Sequence, residues 1–245
     1  VTAPHGLPGR GGALVTGSAR GIGRAIVLAL AADGLDVAVH YRRSEAEARR
    51  VAAEAAAQGV RAVALQADVT VESEAQRLVD AAAHALGGLR VLVNNVGDYH
   101  RGPLAELDSA TWHHMFDSNL HATFYTCQRA IPIMRAAGGG RVVNLGYSGA
   151  ELLTARPGIV AYQIAKTGVL HYTKALARSE AKSGITANVV SPGVMENSVT
   201  QPMDEIPMGR TGTLDELVGA VRYLLSPPAR YVTGVHLEVA GGWNL

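Results

Sequence analysis

The sequence predicts an α/β fold in which a single doubly wound domain holds a seven-stranded, mainly parallel sheet flanked by helices on both faces. Three observations predict it. From position 13 onward, short β-type runs alternate with long alanine-rich stretches of helical periodicity. Three glycines, Gly17, Gly21 and Gly23, stand between the first strand-like run and the first helical one. No linker interrupts the alternation in a chain of 245 residues, a length that one α/β core accommodates.

The strands expected are 13–16, 36–40, 62–66, 90–94, 141–145, 186–190 and 235–239. Their near-continuous apolar character suits strands covered on both faces. The first helix follows from Ile22, Ala25, Ile26, Ala29 and Leu30 at helical spacing, with Gly34 as its stop. Further helices are expected over about 44–58, 72–86, 109–136, 158–183 and 213–226. Residues 1–12, VTAPHGLPGRGG, are rich in Gly and Pro and lack an initiating Met. They are expected to be flexible, leaving 13–245 as the folded domain.

Composition narrows the partners. Lys plus Arg is 22 and Asp plus Glu 21, so the net charge of +1 offers no global attraction to nucleic acid or anionic lipid. Any phosphate must be held locally. The one cysteine, Cys127, cannot form an internal disulfide, and there is no 18-residue apolar run or signal-peptide pattern. A reducing, soluble compartment, the cytoplasm, is the expectation, with no membrane partner.

In doubly wound sheets the ligand sits outside the carboxyl ends of the strands. After the first strand comes Gly17-Ser18-Ala19-Arg20-Gly21-Ile22-Gly23, opening directly into a helix. Such a loop lets the backbone approach a pyrophosphate, and the helix N-terminus favours the anion, which makes the fold Rossmann-type. An NAD site would want Asp or Glu after the second strand. Here stands His40-Tyr41-Arg42-Arg43-Ser44. Arg42 or Arg43, with Arg20, can pair with a 2′-phosphate, so NADP(H) rather than NAD(H) is the expected cofactor.

Tyr162-Gln-Ile-Ala-Lys166 lies in a helical run, which puts Tyr162 and Lys166 one turn apart on one face. An ammonium near a phenol favours the phenolate and is expected to lower the tyrosine pKa from about 10, fitting Tyr162 for acid–base work.

Taken together with the glycine loop, Asp68-Val69, Asn94-Asn95-Val96-Gly97, Asn119 and Ser191-Pro192-Gly193, the chain resembles the short-chain dehydrogenase/reductases from about residue 13 to its end. The resemblance runs to the 3-oxoacyl-carrier-protein reductase branch and its ketoreductase relatives. It implies that Tyr162 protonates a carbonyl oxygen while Lys166 lowers its pKa and binds ribose hydroxyls. Asn119 would hold a water joining Lys166 to solvent. Asp68 and Val69 would border the adenine, Asn94, Val96 and Gly97 the adenosine ribose side, and Pro192, Gly193 and Val194 the nicotinamide. The implied activity is an NADPH-dependent ketoreductase acting on a small carbonyl or alcohol substrate. A pteridine reductase, a sugar or polyol dehydrogenase, and a non-catalytic NADP-binding regulator are the alternatives. Relatives also imply a homodimer or homotetramer, built on the helices at 109–136 and 158–183 and on the C-terminal Gly241–Leu245.

The family's carbonyl-polarising serine lies seven residues beyond the glycine that opens the fifth strand. Counted from Gly140, that register falls on Tyr147, with Ser148 one later and 14 residues before Tyr162. A one-residue shift in a strand reverses the side chain's face. Either a bulge at Gly146 re-aims Ser148, or Tyr147 supplies the hydroxyl; Ser148 is preferred. The segment between Gly193 and Pro207 is shorter than the family's usual substrate lid, and the basic residues expected to dock a carrier protein fall at Gly138 and Ser183. The short lid suits an open site or a small or unusual substrate, and the missing basic residues weigh against a carrier-bound acyl substrate, although Arg135 and Lys182 lie close by. The nine histidines, His113, His114 and His121 among them, show no metal-ligand spacing. Cys127 reads as packing, and Asp98-Tyr-His-Arg101 as either a substrate mouth or a solvated loop.

Overall fold

The structure, a computed structural model, describes residues 11–244. Within it, seven strands form in the order the sequence predicts: β1 (Gly12–Val15), β2 (Val37–Tyr41), β3 (Ala62–Gln66), β4 (Leu89–Asn94), β5 (Gly140–Leu145), β6 (Ile185–Pro192) and β7 (His236–Val239). They lie side by side as β3-β2-β1-β4-β5-β6-β7, and every pairing is parallel. The winding reverses between β1 and β4, which fixes the switch point where this class of sheet binds its ligand. Of the segment expected to be flexible, residues 1–10 lie outside the described residues, and Gly12 already opens β1.

Both faces are covered. Val15, Val39, Val93 and Leu145 pack with α1 (Gly21–Ala32), α2 (Glu45–Ala56) and α7 (Leu214–Leu225). Leu14, Ala38, Leu92 and Val142, one position out of phase, pack on the other side with α3 (Glu72–Leu86) and its neighbours. Strict alternation therefore sends apolar side chains to two cores, which is why the strands read as continuous apolar runs.

One helix departs from expectation. The run 109–136 is interrupted: α4 (Ser109–Phe116) passes into a π-helical stretch, Asp117–His121, before α5 (Ala122–Ala136). A single wider turn is characteristic of functional positions in helices, and this one carries Asn119. Periodicity at 3.6 residues cannot register it, because the apolar spacing resumes almost unchanged. The sixth helix in chain order, α6 (Val160–Glu180), packs on β6 and carries Tyr162 and Lys166.

Candidate active site

The loop after β1 is built on backbone shapes that only glycine adopts readily. Gly17 has φ +63° and Gly21 φ +57°, in the left-handed region that penalises a Cβ. A Cβ on Gly23 would stand 2.5 Å from the Gly17 carbonyl oxygen, so that glycine serves close approach of helix to loop. Two residues outside the glycine pattern hold the loop. Asn95 Nδ2 donates to Thr16 O at 2.9 Å and Gly17 O at 3.2 Å. His40 Nδ1 accepts the Gly17 N–H at 2.8 Å, which leaves its proton on Nε2 to donate to Ala67 O at 3.0 Å. Burial pushes the His40 pKa from 6.5 down to about 4, so the ring is neutral at neutral pH.

A cavity of about 380 Å³ opens at the carboxyl ends of β1, β2 and β4. It brings together Gly17, Arg20, Tyr41, Arg42, Arg43 and Ser44 with Asp68, Val69, Val96 and Gly97, as the sequence predicts for a cofactor site. Ser44 stands at the N-cap of α2 without a capping hydrogen bond, next to a helix end that favours an anion. Arg42 lies 3.8 Å from the Asp68 carboxylate. Burial acts to raise the Asp68 pKa, but the Thr70 hydrogen bonds and the Arg42 and Arg43 charges hold it below the usual value.

Other predicted cofactor residues lie elsewhere. Ser18 is fully buried; its hydroxyl donates to Val15 O and accepts the His40 N–H, shaping the loop from within. Asn94, expected beside the ribose, turns into the sheet–α5 layer instead. There it donates to Asn144 Oδ1 and Cys127 Sγ and accepts from Thr126, because alternation along β4 points it away from the cavity. Gly21, Ile22 and Gly23 open α1 beside the cavity. Pro192 ends β6 and Gly193 and Val194 follow it, where a Cβ on Gly193 would come within 2.7 Å of Ala240. Cys127 is packing, its thiol pushed up to about 12 by burial.

Lys166 and Asn119 come together at Gly97, with the Tyr162 ring beside Lys166. A Cβ there would lie 2.4 Å from Asn119 Oδ1 and 3.1 Å from Lys166 Nζ, so only glycine lets these two atoms approach the cavity wall. Asn119 Nδ2 donates to Asp98 O and Met115 O, both at 2.9 Å, while its Oδ1 is buried without a partner. Lys166 is buried, its Nζ donating to Leu145 O at 2.8 Å. The expected lowering of the Tyr162 pKa is reversed. Burial, with the neighbouring Tyr147 and Tyr99, pushes the phenol up, and burial also lowers Lys166 from 10.5 to about 8. Tyr162 is thus held as a protonated phenol.

Ser148, preferred from the sequence, and Tyr147 have different surroundings in the structure. β5 ends at Leu145, Gly146 presses on β6, and a turn closed by Ala150 N–H on Tyr147 O begins at once. Strand alternation no longer governs residues inside that turn. Ser148 donates its hydroxyl to Glu238 Oε2 at 2.7 Å. Tyr147 instead packs edge-on against Tyr162, with ring centroids 5.7 Å apart, and its buried hydroxyl has no partner. Tyr99 meets the other side of Tyr162 at 5.0 Å. Asp98, Tyr99 and His100 line a second cavity of about 470 Å³ with Thr111, His114 and Met115. Asp98 borders both cavities, and His114 Nε2 lies 2.8 Å from its carboxylate.

A parallel doubly wound sheet, a glycine loop at its switch point and a buried tyrosine–lysine pair define a dinucleotide-dependent oxidoreductase. The chain belongs to the short-chain dehydrogenase/reductase family: the family model described as enoyl-(acyl carrier protein) reductase matches residues 17–244. It is similar to the 3-oxoacyl-[acyl-carrier-protein] reductase FabG of Staphylococcus aureus, at 36% identity over 94% of this chain and 96% of that protein. Among solved structures it resembles a blue fluorescent protein from a metagenomic library in complex with NADPH, with TM-score 0.90, 36% identity, and 96% and 98% of the two chains covered. A short-chain dehydrogenase from Burkholderia cenocepacia in complex with NADP aligns over all of both chains, with TM-score 0.91 and 32% identity. The protein is accordingly an oxidoreductase acting on CH–OH and C=O groups. Among the described residues, no helix is long and apolar enough to cross a membrane.

Proposed function

We propose that the protein is an NADPH-dependent ketoreductase in which Tyr162 is the general acid and Tyr147 the second hydroxyl on the carbonyl oxygen. The observation that carries the reading is Gly97, which lines the cofactor cavity and at the same time seats Asn119 Oδ1 and Lys166 Nζ. The residues present fit the cofactor. The glycine loop forms a cradle that a Cβ would fill, and Arg20, Arg42, Arg43 and Ser44 gather where a 2′-phosphate needs charge-assisted donors. NADP(H) is therefore preferred to NAD(H).

When bound, the nicotinamide supplies hydride to the carbonyl carbon or takes it from the alcohol. Tyr162 donates its proton to the carbonyl oxygen, and Tyr147 donates a hydrogen bond to the same oxygen as charge develops there. Lys166, still mostly an ammonium at neutral pH with its pKa near 8, stabilises the phenolate left on Tyr162. The open Oδ1 of Asn119 accepts a water through which the proton is replaced. Phe124 on α5 and Ile164 on α6 are exposed apolar side chains on the helices we assign to the contact of a homodimer or homotetramer; a monomeric mass by light scattering would remove that assignment. The test of function is NADPH oxidation across a panel of small ketones and aldehydes. Tight NADPH binding without turnover on any of them would favour a regulatory protein.

A further inference from the structure

We propose that Glu238 is a positioning residue for the reaction: from β7 it fixes the turn that carries Tyr147, and so holds the Tyr147 hydroxyl at Tyr162. The inference rests on the role given to Tyr147 above.

The turn that follows β5 has little to hold it from within. Gly149 has φ +82°, and the exposed Leu153 is also left-handed at φ +51°, a conformation that persists in a branched residue only when its surroundings impose it. Glu238 supplies the missing constraint. Its two carboxylate oxygens take different donors of the turn: Oε2 accepts the Ser148 hydroxyl at 2.7 Å and Oε1 the Gly149 N–H at 2.9 Å. A bidentate carboxylate bonded to two consecutive residues fixes both the position and the rotation of the turn. Tyr147, the residue immediately before, is then set by a neighbour it does not touch through its hydroxyl, which has no partner of its own.

The chain beyond β7 strengthens the same clamp. Asn244 Nδ2 donates to Ser148 O at 3.2 Å, and Arg156, at the far end of the loop, bonds Asn244 and lies over the Trp243 ring. Trp243 Nε1 in turn donates to Glu205 at 3.2 Å, in the segment between Gly193 and Pro207. β7 and its extension thus brace the Tyr147 turn on one side and the short substrate lid on the other. A serine hydroxyl that could have served chemistry is committed to this brace.

The experiment compares Glu238→Ala, Glu238→Gln, Tyr147→Phe and the Glu238→Ala/Tyr147→Phe double variant, reading kcat, KM for NADPH and the thermal midpoint. Alanine removes both acceptors. Glutamine keeps one oxygen for the Gly149 N–H and presents an N–H that the Ser148 oxygen can accept, preserving the geometry. Glu238→Ala is expected to lower kcat by ~100-fold, the scale of a misplaced catalytic group, with KM for NADPH unchanged. Glu238→Gln is expected to stay within ~5-fold of the parent on the same scale. In the double variant the losses are expected not to multiply, because Glu238 acts through Tyr147.

If Tyr147→Phe is as active as the parent, the role of Tyr147 itself is wrong. If Tyr147→Phe is inactive while Glu238→Ala keeps its kcat, or if the two losses multiply, Glu238 does not position Tyr147. Equal loss in Glu238→Ala and Glu238→Gln also overturns the proposal, since geometry is retained in the second.

Discussion

The Lys166 ammonium lies over the ring of Tyr162, 5.9 Å from its centroid, rather than at its hydroxyl. A cation over the ring face is attracted by the neutral phenol and more strongly by the phenolate, and burial lowers the lysine from 10.5 to about 8. Activity and stability then respond to pH in opposite directions. Between about pH 8 and 10.5 the unfolded chain keeps the Lys166 proton and the folded chain does not, so this group makes stability rise with pH across that window. Reduction, which needs the ammonium, is expected to decline over the same range. Lys166→Met should flatten the stability rise and remove activity. Urea midpoints and kcat measured from pH 7.5 to 10.5 check both, and a parent profile with no decline above pH 8 would detach Lys166 from proton transfer.

Two tyrosines of the site, Tyr162 and Tyr99, and Ser148 predict a sharp ranking. Tyr162→Phe deletes the proton donor and is expected to lower kcat by about 10²- to 10⁴-fold. Tyr99 gives Tyr162 an edge-on ring, is itself exposed, and borders the second cavity. Tyr99→Phe should preserve kcat within ~2-fold, since the aromatic contact survives. Ser148→Ala removes one of two donors to Glu238 and is expected to cost less than ~10-fold, on the scale of one net hydrogen bond. A Ser148→Ala variant as inactive as Tyr162→Phe would restore the serine to the chemistry.

Cofactor choice is expected to follow the arginines. Arg42 is near Asp68 at 3.8 Å, a loose contact that leaves its donors available to a phosphate. Losing a charge-assisted hydrogen bond costs about 1.5–3 kcal/mol, or roughly 10- to 100-fold. Arg42→Ala and Arg43→Ala should therefore lower kcat/KM for NADPH by that factor and leave the value for NADH nearly unchanged. Steady-state rates with both cofactors decide it; equal losses with both would place the arginines outside any 2′-phosphate contact.

The fold was legible because it is written in periodicities: two-sided burial gives each strand its apolar run, and the strand boundaries fall within one or two residues of expectation. The site was legible where glycine is forced, by a left-handed backbone at Gly17 and by the close approach of Asn119 and Lys166 at Gly97. Legibility ended where a local turn breaks a period. Strand register points to Tyr147, and Ser148 is preferred only by way of a bulge at Gly146, whereas the chain leaves β5 in a turn closed by Ala150 N–H on Tyr147 O. The π-helical stretch at Asn119 left no trace in a 3.6-residue pattern. Asn94 misled for the opposite reason, since motif position suggested the cavity while alternation along β4 sent it into the core. Glu238 carried no visible signal, and His40 none for its part in the loop, because the partners of each lie far away in sequence.

His40 offers the most demanding test of that last point. Its ring joins the ends of three adjacent strands, accepting from Gly17 after β1 and donating to Ala67 after β3 from its own place in β2. His40→Leu removes the acceptor and leaves the half-buried Gly17 N–H unpaired, a loss of about 1–3 kcal/mol. The loop whose backbone cradles the pyrophosphate is then free to shift, so KM for NADPH should rise by roughly tenfold on the same energy scale while kcat is kept. Acid supplies an independent readout. The His40 pKa falls from 6.5 to about 4 on folding, so as pH drops through that window the unfolded chain binds a proton that the native ring refuses. Native stability should decrease by about 3 kcal/mol between pH 6.5 and 4 from this group, and be unaffected by it above pH 6.5. In His40→Leu that component is missing, so the gap between parent and variant should narrow as pH falls. Urea midpoints at pH 7, 6, 5 and 4.5 measure it, and a gap that stays constant would mean that the imidazole does not hold the loop as a neutral acceptor.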